Sequence, residues 1–162
     1  MPFWAETKVE IARPNQAEEK LMQLNPYLLF NGQCEEAFKF YEKCLGGKIE
    51  MLSTFGDSPM AKQVPPEWYG KVMHASLKLG DGMILMGSDP PPDNYQVPQG
   101  FSVSLSVKDA GETERIFNEL AQDGKVTMPI QKTFWSPRFG MLVDRFGIPW
   151  ILNCEQAATQ TA

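Results

Sequence analysis

Few residues in this sequence could perform acid–base chemistry, and the first of them is its single histidine, His74. Histidine titrates near neutral pH, so His74 is a candidate general base or ligand donor. Without a second histidine, a catalytic scheme would need a carboxylate partner such as Glu50, Asp57 or Glu67. None of these acids stands at a diagnostic spacing from His74. A hydrogen-bonded strand histidine is the simpler interpretation, so no catalytic dyad is predicted and the catalytic residues stay unknown.

The cysteines do not form a recognisable metal or redox motif. Cys34, Cys44 and Cys154 are an odd number and fit neither a CxxC nor a zinc-binding spacing. Free cysteine is usually a buried packing residue, and unpaired thiols are typical of a reducing compartment. We therefore predict three inert core thiols.

Large apolar side chains offer a second kind of chemistry, the binding of a small molecule. They gather in the second predicted strand, in the loop after it and in the late loop. They are Met51, Phe55, Trp68, Met73, Phe134, Trp135, Phe139 and Trp150. Phe134 and Trp135 lie between predicted strands, and a buried aromatic residue is less expected there than within a strand. An apolar wall with a few polar groups is typical of a ligand pocket, so Trp135 is predicted to contact a ligand. The alternative is a loop anchor or a dimer contact.

Composition excludes several classes of protein. The chain has 162 residues, 43% of them apolar and 22% charged, which is typical of one folded domain. Its net charge of -5 and its lack of basic runs argue against a nucleic-acid partner. No long apolar stretch is present, and Glu6, Lys8, Glu10 and Arg13 interrupt the first twenty residues. We predict no membrane partner and a cytoplasmic location.

The elements that must position these residues follow one order. A short apolar strand, PYLLF, precedes a helix that opens at NGQ and ends at Gly46-Gly47. Three strands follow, KIEMLSTF, VMHASLKL and GMILMGS, with a Pro-rich loop after the first and a hairpin turn between the last two. The unit is βαβββ.

The same order then repeats. FSVSLSV, a helix from Asp109 to Gln122, and the strands VTMPI, RFGMLV and PWILNC form a second βαβββ unit. A shift of 77 residues aligns four positions in the first strand, the helix and the glycine after the helix. The pairs are Leu28 with Leu105, Phe30 with Val107, Phe40 with Phe117, and Gly47 with Gly124. The predicted fold is α+β, two tandem βαβββ modules forming a cupped mixed sheet.

The domain boundaries follow from this repeat. Residues 1–24 are a polar extension, 25–155 form one domain, and 156–162 are a tail. Within the domain, module one is 25–88, a linker covers 89–100, and module two is 101–155. The Pro-rich stretches SPMAKQVPPEW and SDPPPDNYQVPQ are interpreted as stiff connections, of which the first could cover the site as a lid.

Strand alternation predicts which side chains face a ligand. Val103, Leu105 and Val107 should meet the helix, so Ser102, Ser104 and Ser106 should face the other way, into a trough between the modules. His74 points the same way, because its neighbours Ala75 and Leu77 are apolar.

Two runs, FNGQCEEAFKFYEKCLGG and DRFGIPWILN, stand in this order along the doubled βαβββ unit. Together they resemble the vicinal oxygen chelate superfamily, also called the glyoxalase, bleomycin resistance and dioxygenase superfamily. The resemblance covers Asn25 to Glu155. PEW, MHA, MGSD, GFSVSLSV and FGMLVDRFGIPW are similar to the PhnB-like branch. This resemblance implies paired βαβββ modules, a homodimer and, in the enzymes, a divalent metal held by one residue from each of four strands.

The four implied metal positions can be located in this sequence. They fall on Asn25, Met86, Ser102 and Ile151. A cavity metal needs about three imidazole or carboxylate ligands. An amide, a thioether, a hydroxyl and a hydrocarbon do not provide them, so no metal and no cofactor are predicted.

The preferred function is a metal-free homodimer that binds a small, partly apolar molecule between the sheets and either sequesters it or assists a modest reaction. The predicted ligand-binding residues are Tyr27, Phe55, His74, Met86, Ser102, Ser104, Trp135 and Phe139. One alternative is a metal-dependent lyase, isomerase or dioxygenase. A methyltransferase, which relatives are often called, would need a Gly-rich turn between strand and helix that is absent here. A pure dimerisation scaffold is the last alternative.

Overall fold

The computed structural model describes residues 22–157. Most of the predicted N-terminal extension, residues 1–24, and most of the tail, residues 156–162, lie outside the described residues.

The first module has the predicted βαβββ order. Its elements are β1 (Tyr27–Leu29), α1 (Cys34–Leu45), β2 (Lys48–Thr54), β3 (Val72–Leu79) and β4 (Met83–Ser88). The strands form a mixed sheet in the order β1-β4-β3-β2, in which β1 and β4 are parallel and the other pairs antiparallel. The Pro-rich loop between β2 and β3 contains two short 3-10 helices, Pro59–Gln63 and Pro66–Trp68.

The second module repeats this topology strand for strand. Its elements are β5 (Val103–Val107), α2 (Ala110–Leu120), β6 (Lys125–Gln131), β7 (Phe139–Val143) and β8 (Pro149–Cys154). The sheet order is β5-β8-β7-β6, again with one parallel pair, β5 and β8. The predicted duplication and the α+β fold class are confirmed. In residues 22–157 the cup consists of two separate four-stranded sheets rather than one continuous sheet.

A buried aspartate closes the first module at the start of α1. The helix has no side-chain cap of its own, and the Asp89 carboxylate accepts hydrogen bonds at 3.0 Å from the backbone N–H groups of Cys34 and Val72. Asp89 is 1% exposed, and its burial raises the pKa of this carboxyl. The Asp89 carboxylate, which directly follows β4, therefore connects the start of α1 to the start of β3.

Two glycines 77 residues apart occupy equivalent places, which supports the duplication physically. A Cβ on Gly47 would lie 2.6 Å from the carbonyl oxygen of Lys78, near the end of β3. A Cβ on Gly124 would lie 2.5 Å from the carbonyl oxygen of Val143, at the end of β7. In both modules, therefore, the start of the second strand approaches the third too closely for any side chain.

The two modules share one hydrophobic core. Helix α1 packs against α2 as well as against its own sheet, and α2 packs on β5, β7 and β8. Tyr41 of α1 contacts Trp150 of β8 with ring centroids 5.4 Å apart in an edge-to-face arrangement. Buried residues of both modules therefore form one cluster.

A single carboxylate connects the modules. Asp144, 4% exposed in the turn between β7 and β8, accepts hydrogen bonds from the Tyr41 hydroxyl at 2.6 Å and from Trp150 Nε1 at 2.8 Å. It also accepts the backbone N–H groups of Phe146 and Ile148 at 2.8 and 3.0 Å. Burial, together with the negative charge of Asp144, raises the pKa of Tyr41 well above its usual value, so this hydroxyl remains a donor.

Within residues 22–157, no helix has the length and apolar character that a membrane span requires.

We expect Asp144→Asn to lower the free energy of unfolding by about 3 kcal/mol. In the native protein both carboxylate oxygens of Asp144 accept hydrogen bonds, and asparagine replaces one of these oxygens with an NH₂ group that faces the same donors. Urea denaturation of the purified variant measures this loss. Tyr41→Phe, which removes only one donor, should cost about 1.5 kcal/mol.

Asp123→Asn is the matched control for this measurement. Asp123 is exposed, has a positive φ of 56° that asparagine tolerates, and pairs with Arg145 only at 3.7 Å. Asp123→Asn should lower the free energy of unfolding by less than about 0.5 kcal/mol. Equal effects of Asp144→Asn and Asp123→Asn would contradict the connecting role of Asp144.

Gly47→Ala and Gly124→Ala should each lower the free energy of unfolding by about 2 kcal/mol, because the new methyl group meets backbone atoms that cannot move freely. Gly70→Ala is the control, since a Cβ there meets nothing within 4 Å. It should change stability by less than about 0.5 kcal/mol in the same denaturation series. A large effect at only one of the two equivalent glycines would contradict their equivalence.

Candidate functional site

Among residues 22–157, the two helices cover only one face of each sheet, and we call the other face its open face. In β5, Val103, Leu105 and Val107 pack against the core, while Ser104 and Ser106 are exposed on the open face. The predicted alternation of this strand is therefore confirmed. Ser102 lies just before β5 and is half-buried.

The open face of the first sheet brings together three of the predicted residues. Tyr27 is the register partner of Met86 across the parallel pair β1 and β4. The Tyr27 hydroxyl lies 3.1 Å from His74 Nδ1, and the two rings are 5.7 Å apart at their centroids. Ala75, next to His74 in β3, is buried in the core, which fixes the opposite direction for the imidazole.

The partner of His74 is thus a phenol rather than a carboxylate. Of the acids considered from sequence, Glu50 lies 3.9 Å from Lys78, and Asp57 accepts a hydrogen bond from Thr54 at 2.7 Å. With the Tyr27 hydroxyl as donor, Nδ1 is the acceptor and Nε2 carries the ring proton. The pair can orient a polar ligand group or pass a proton between the hydroxyl and the imidazole.

The open face of the second sheet carries an aromatic wall, which consists of Phe134, Trp135 and Phe139. The ring centroids of Trp135 and Phe139 are 5.2 Å apart, and those of Phe134 and Trp135 are 4.6 Å apart. Phe134 is 92% exposed and Trp135 44% exposed. A wall of this kind can bind a flat apolar group by edge-to-face contact.

A buried serine holds the loop that carries this wall. The Ser136 hydroxyl lies 2.8 Å from the carbonyl oxygens of Arg138 and Cys154, and Ser136 N donates to Thr133 Oγ1 at 3.1 Å. Cys154 N in turn donates to the Arg138 carbonyl at 2.8 Å. The loop is therefore bound to the end of β8, which fixes Trp135 beside Phe139.

Asn153 is a residue of this face that sequence reasoning missed. It lies in β8 between Leu152 and Cys154, both buried in the core. In register it faces Ser106 on one side and Phe139 on the other. The alternation in PWILNC could have identified it, since it is the one polar residue of that strand.

Phe55, predicted to bind a ligand, is separate from the other site residues. It is 6% exposed and its backbone N–H donates to the Lys71 carbonyl at 3.0 Å. Gly56 N donates to the Tyr69 carbonyl at 2.8 Å, so this pair of bonds closes the base of the Pro-rich loop. Phe55 is buried because it anchors that loop, and its side chain is not available at the open face.

The predicted trough between the modules is not where the site residues meet. A groove of about 220 Å³ does lie between the modules, but it includes only Ser104 of the eight predicted residues. Its lining is Leu24, Pro26, Leu79, Gly82, Met83, Ile84, Leu85, Val103, Ser104, Leu105 and Trp150. The groove is lined mainly by apolar residues of the strands and their ends, so it is an apolar seam between the modules. It is smaller than the roughly 300 Å³ at which ligand pockets begin.

The residues at the family's metal positions do not fit a cation. Met86 lies opposite Tyr27 and Ser76, and Ile151 lies opposite Ser104 and Met141, so neither has an acidic or imidazole residue directly opposite it in the sheet. Within residues 22–157 no group of three or more His, Cys, Asp or Glu side chains could hold a metal ion.

The three cysteines are buried, as predicted. Burial raises the pKa of Cys34 strongly and that of Cys44 to about 12. Neither thiol is therefore a nucleophile at neutral pH.

Comparison with known proteins agrees with this architecture. The sequence profile of the Glyoxalase/Bleomycin resistance protein/Dioxygenase superfamily matches residues 23–152. Protein YjdN of Escherichia coli (strain K12) is 34% identical over 148 residues, which covers 86% of this chain and all of YjdN.

Two solved structures are similar in sequence and in fold. Protein PA1353 from Pseudomonas aeruginosa is 48% identical, covers 83% of this chain and 98% of its own, and superposes with a TM-score of 0.76. The PhnB protein from Bacillus cereus, named as a candidate 3-demethylubiquinone-9 3-methyltransferase, is 27% identical, with coverages of 82% and 99% and a TM-score of 0.68.

The duplicated βαβββ topology, the matching profile and these relatives agree with one another. The chain belongs to the glyoxalase/bleomycin resistance protein/dioxygenase superfamily and, within it, to the PhnB-like branch.

Proposed function

We propose that this protein binds a small, partly aromatic or apolar molecule on the open face of its second sheet, without a metal ion. The observation that carries the proposal is the aromatic wall, which a serine-anchored loop holds beside the polar residues of β5 and β8. An apolar surface with few polar groups is the usual composition of a ligand site.

The absence of suitable ligands supports the metal-free part of this proposal. At the family's four positions this chain has Asn25, Met86, Ser102 and Ile151, which offer an amide, a thioether, a hydroxyl and a hydrocarbon. Such a set cannot offset the cost of removing water from a divalent ion. A metal-dependent lyase, isomerase or dioxygenase is therefore not our preferred function.

The methyltransferase activity in the name of the Bacillus cereus relative is not proposed for this chain. A methyltransferase with a doubly wound sheet needs a Gly-rich turn between a parallel strand and a helix. Here the turn between β1 and α1 is Phe30-Asn31-Gly32-Gln33, with one glycine. The α+β topology also differs from a doubly wound sheet.

A homodimer is the second part of the proposal. The open faces and sheet edges expose large apolar side chains, including Tyr27, Leu29, Met51 and Trp135. Exposed apolar surface of this kind is typical of an interface between protein chains.

A cytoplasmic location is the third part of the proposal. It is supported by the three buried free thiols, which fit a reducing compartment.

We expect Trp135→Ala to weaken the binding of 8-anilinonaphthalene-1-sulfonate about tenfold, or about 1.4 kcal/mol, because the wall loses its largest ring. A fluorescence titration measures this change. Tyr69→Ala, which removes an exposed ring from the other module, is the control and should leave the affinity unchanged.

The same titration tests the metal. EDTA dialysis should not alter dye binding, and Ni²⁺ or Zn²⁺ added in a calorimeter should show no stoichiometric site. A tightly held divalent ion, or equal losses in Trp135→Ala and Tyr69→Ala, would contradict the proposed function.

We expect sedimentation velocity to give a mass of twice the 18.2 kDa of one chain at micromolar concentration. Trp135→Ala should keep this mass, because the proposal assigns Trp135 to the ligand. A monomer in the wild type would contradict the dimer, and a monomer only in Trp135→Ala would assign Trp135 to the dimer contact instead.

A further inference from the structure

The groove between the modules exposes the edges of two strands. Strand β1 pairs with β4 only at Met86, Gly87 and Ser88, so residues 83–85 of β4 are paired on one side, with β3. Strand β5 is the outer strand of its sheet and pairs only with β8 within residues 22–157. Residues 83–85 and 103–105 both line the groove. Uncovered strand edges are places where a further extended segment can add.

The lining of this groove suits apolar side chains of a protein chain. Leu79, Met83, Leu85 and Leu105 contribute apolar surface, and Ser104 contributes the one hydroxyl. The volume of about 220 Å³ is below the roughly 300 Å³ at which ligand pockets begin. The groove can therefore hold a few side chains better than a separate small molecule.

The N-terminal segment of the chain begins its course at the rim of the same groove. Leu24 lines the groove but is 99% exposed, and Met22, the first described residue, is 89% exposed. Residues 1–21, which lie outside the described residues, are joined to the chain at this point. A segment tethered so close meets the groove at an effective concentration in the millimolar range. A second copy of the protein at micromolar concentration competes poorly with it.

The sequence of this segment contains a run with one apolar side. In AETKVEI, residues 5–11, four positions alternate with three charged ones; they are Ala5, Thr7, Val9 and Ile11, separated by Glu6, Lys8 and Glu10. A period of two is typical of a strand with one buried face, and β-branched residues favour strands. Ile11 precedes Leu24 by 13 residues, a length of chain that spans up to about 43 Å, so the run can turn back to the groove.

We propose that residues 5–11 occupy the groove of their own chain as a short strand along residues 83–85 of β4 and 103–105 of β5. Val9 and Ile11 then contact the apolar lining, while Glu6, Lys8 and Glu10 face solvent. In this position the segment connects the two sheets along their uncovered edges. The inference does not depend on the proposed function, because neither the aromatic wall nor His74 is part of the groove.

The first test traps the segment in the groove of the full chain by a disulfide. Val9→Cys is combined with Met83→Cys, in the groove, or with Met51→Cys, on β2, as the matched control. The two methionines are 52% and 53% exposed, so they are equally accessible. The three native thiols are buried. Cross-links formed under mild oxidation are measured by non-reducing electrophoresis and by mass spectrometry of the linked peptides.

We expect the disulfide between positions 9 and 83 to form within one chain at least fivefold faster than that between positions 9 and 51. Equal rates, or no cross-link to position 83, would overturn the inference. A cross-link to position 83 that joins two chains would also overturn it, because the occupant would then be the segment of a second copy.

The second test measures hydrogen exchange of the backbone amides of β5. Val9→Asp combined with Ile11→Asp puts two charges on the apolar side of the run, and Lys8→Asp, on its polar side, is the control. We expect the double substitution to speed exchange of residues 103–107 at least fivefold and Lys8→Asp to leave it unchanged. Strand β6, the other edge of the same sheet, should exchange at the wild-type rate in every variant.

Two patterns of exchange would contradict the proposal. An unchanged β5 in the double variant shows that the segment does not cover this edge. Equal acceleration of β5 and β6, or of β5 in Lys8→Asp, shows a general loss of stability instead of an uncovered groove. The cross-linking comparison is independent of these variants.

Discussion

The buried carboxylate of Asp144 is the contact on which the relative placement of the two modules depends. It accepts a hydrogen bond from Tyr41 of the first helix and three more from its own turn and from Trp150. A buried charge is stable only when several donors surround it, so the turn, the helix and the start of β8 must be formed together. Because β8 begins at this contact, the position of Asn153 near its end also depends on it.

The duplicated units have the same fold but present different chemistry. The open face of the first sheet has a phenol and an imidazole in contact, whereas that of the second has the aromatic wall and an amide. Equivalent glycines at the starts of β2 and β6 keep the backbone arrangement the same in both modules. The residues of the open faces do not contribute to that arrangement, so their chemistry is free to differ. This is how one scaffold can carry different sites within a superfamily.

Much of the fold could be predicted from sequence, because it depends on local patterns. The glycines after each helix, the DG turn and the period of two in FSVSLSV gave the two βαβββ units and the exposed serines of β5. The same alternation indicated the direction of His74. Residue types alone also argued against a divalent-metal site of the family's kind, since an amide, a thioether, a hydroxyl and a hydrocarbon lack the imidazole and carboxylate groups that such sites use.

The contacts between distant segments could not be predicted in the same way. The sequence suggests only carboxylates as partners of His74, but strand pairing brings Tyr27 to it from 47 residues away. Phe55 is a large apolar residue of the kind that lines ligand pockets, yet its place at the base of the Pro-rich loop buries it. Nothing local in the sequence shows that Ser136 binds the end of β8, or that the helices join the modules through Asp144.

The sequence by itself determined the elements, their duplication and the side chains that each strand exposes, because these depend on neighbours only a few residues apart. Tertiary structure alone decided which of those side chains share a face, which polar atoms find partners and which, like Asn153 Oδ1, do not. The physical reason is that a hydrogen bond or a ring contact depends on distances of a few ångströms, and for distant segments these are set by the packing of the whole core.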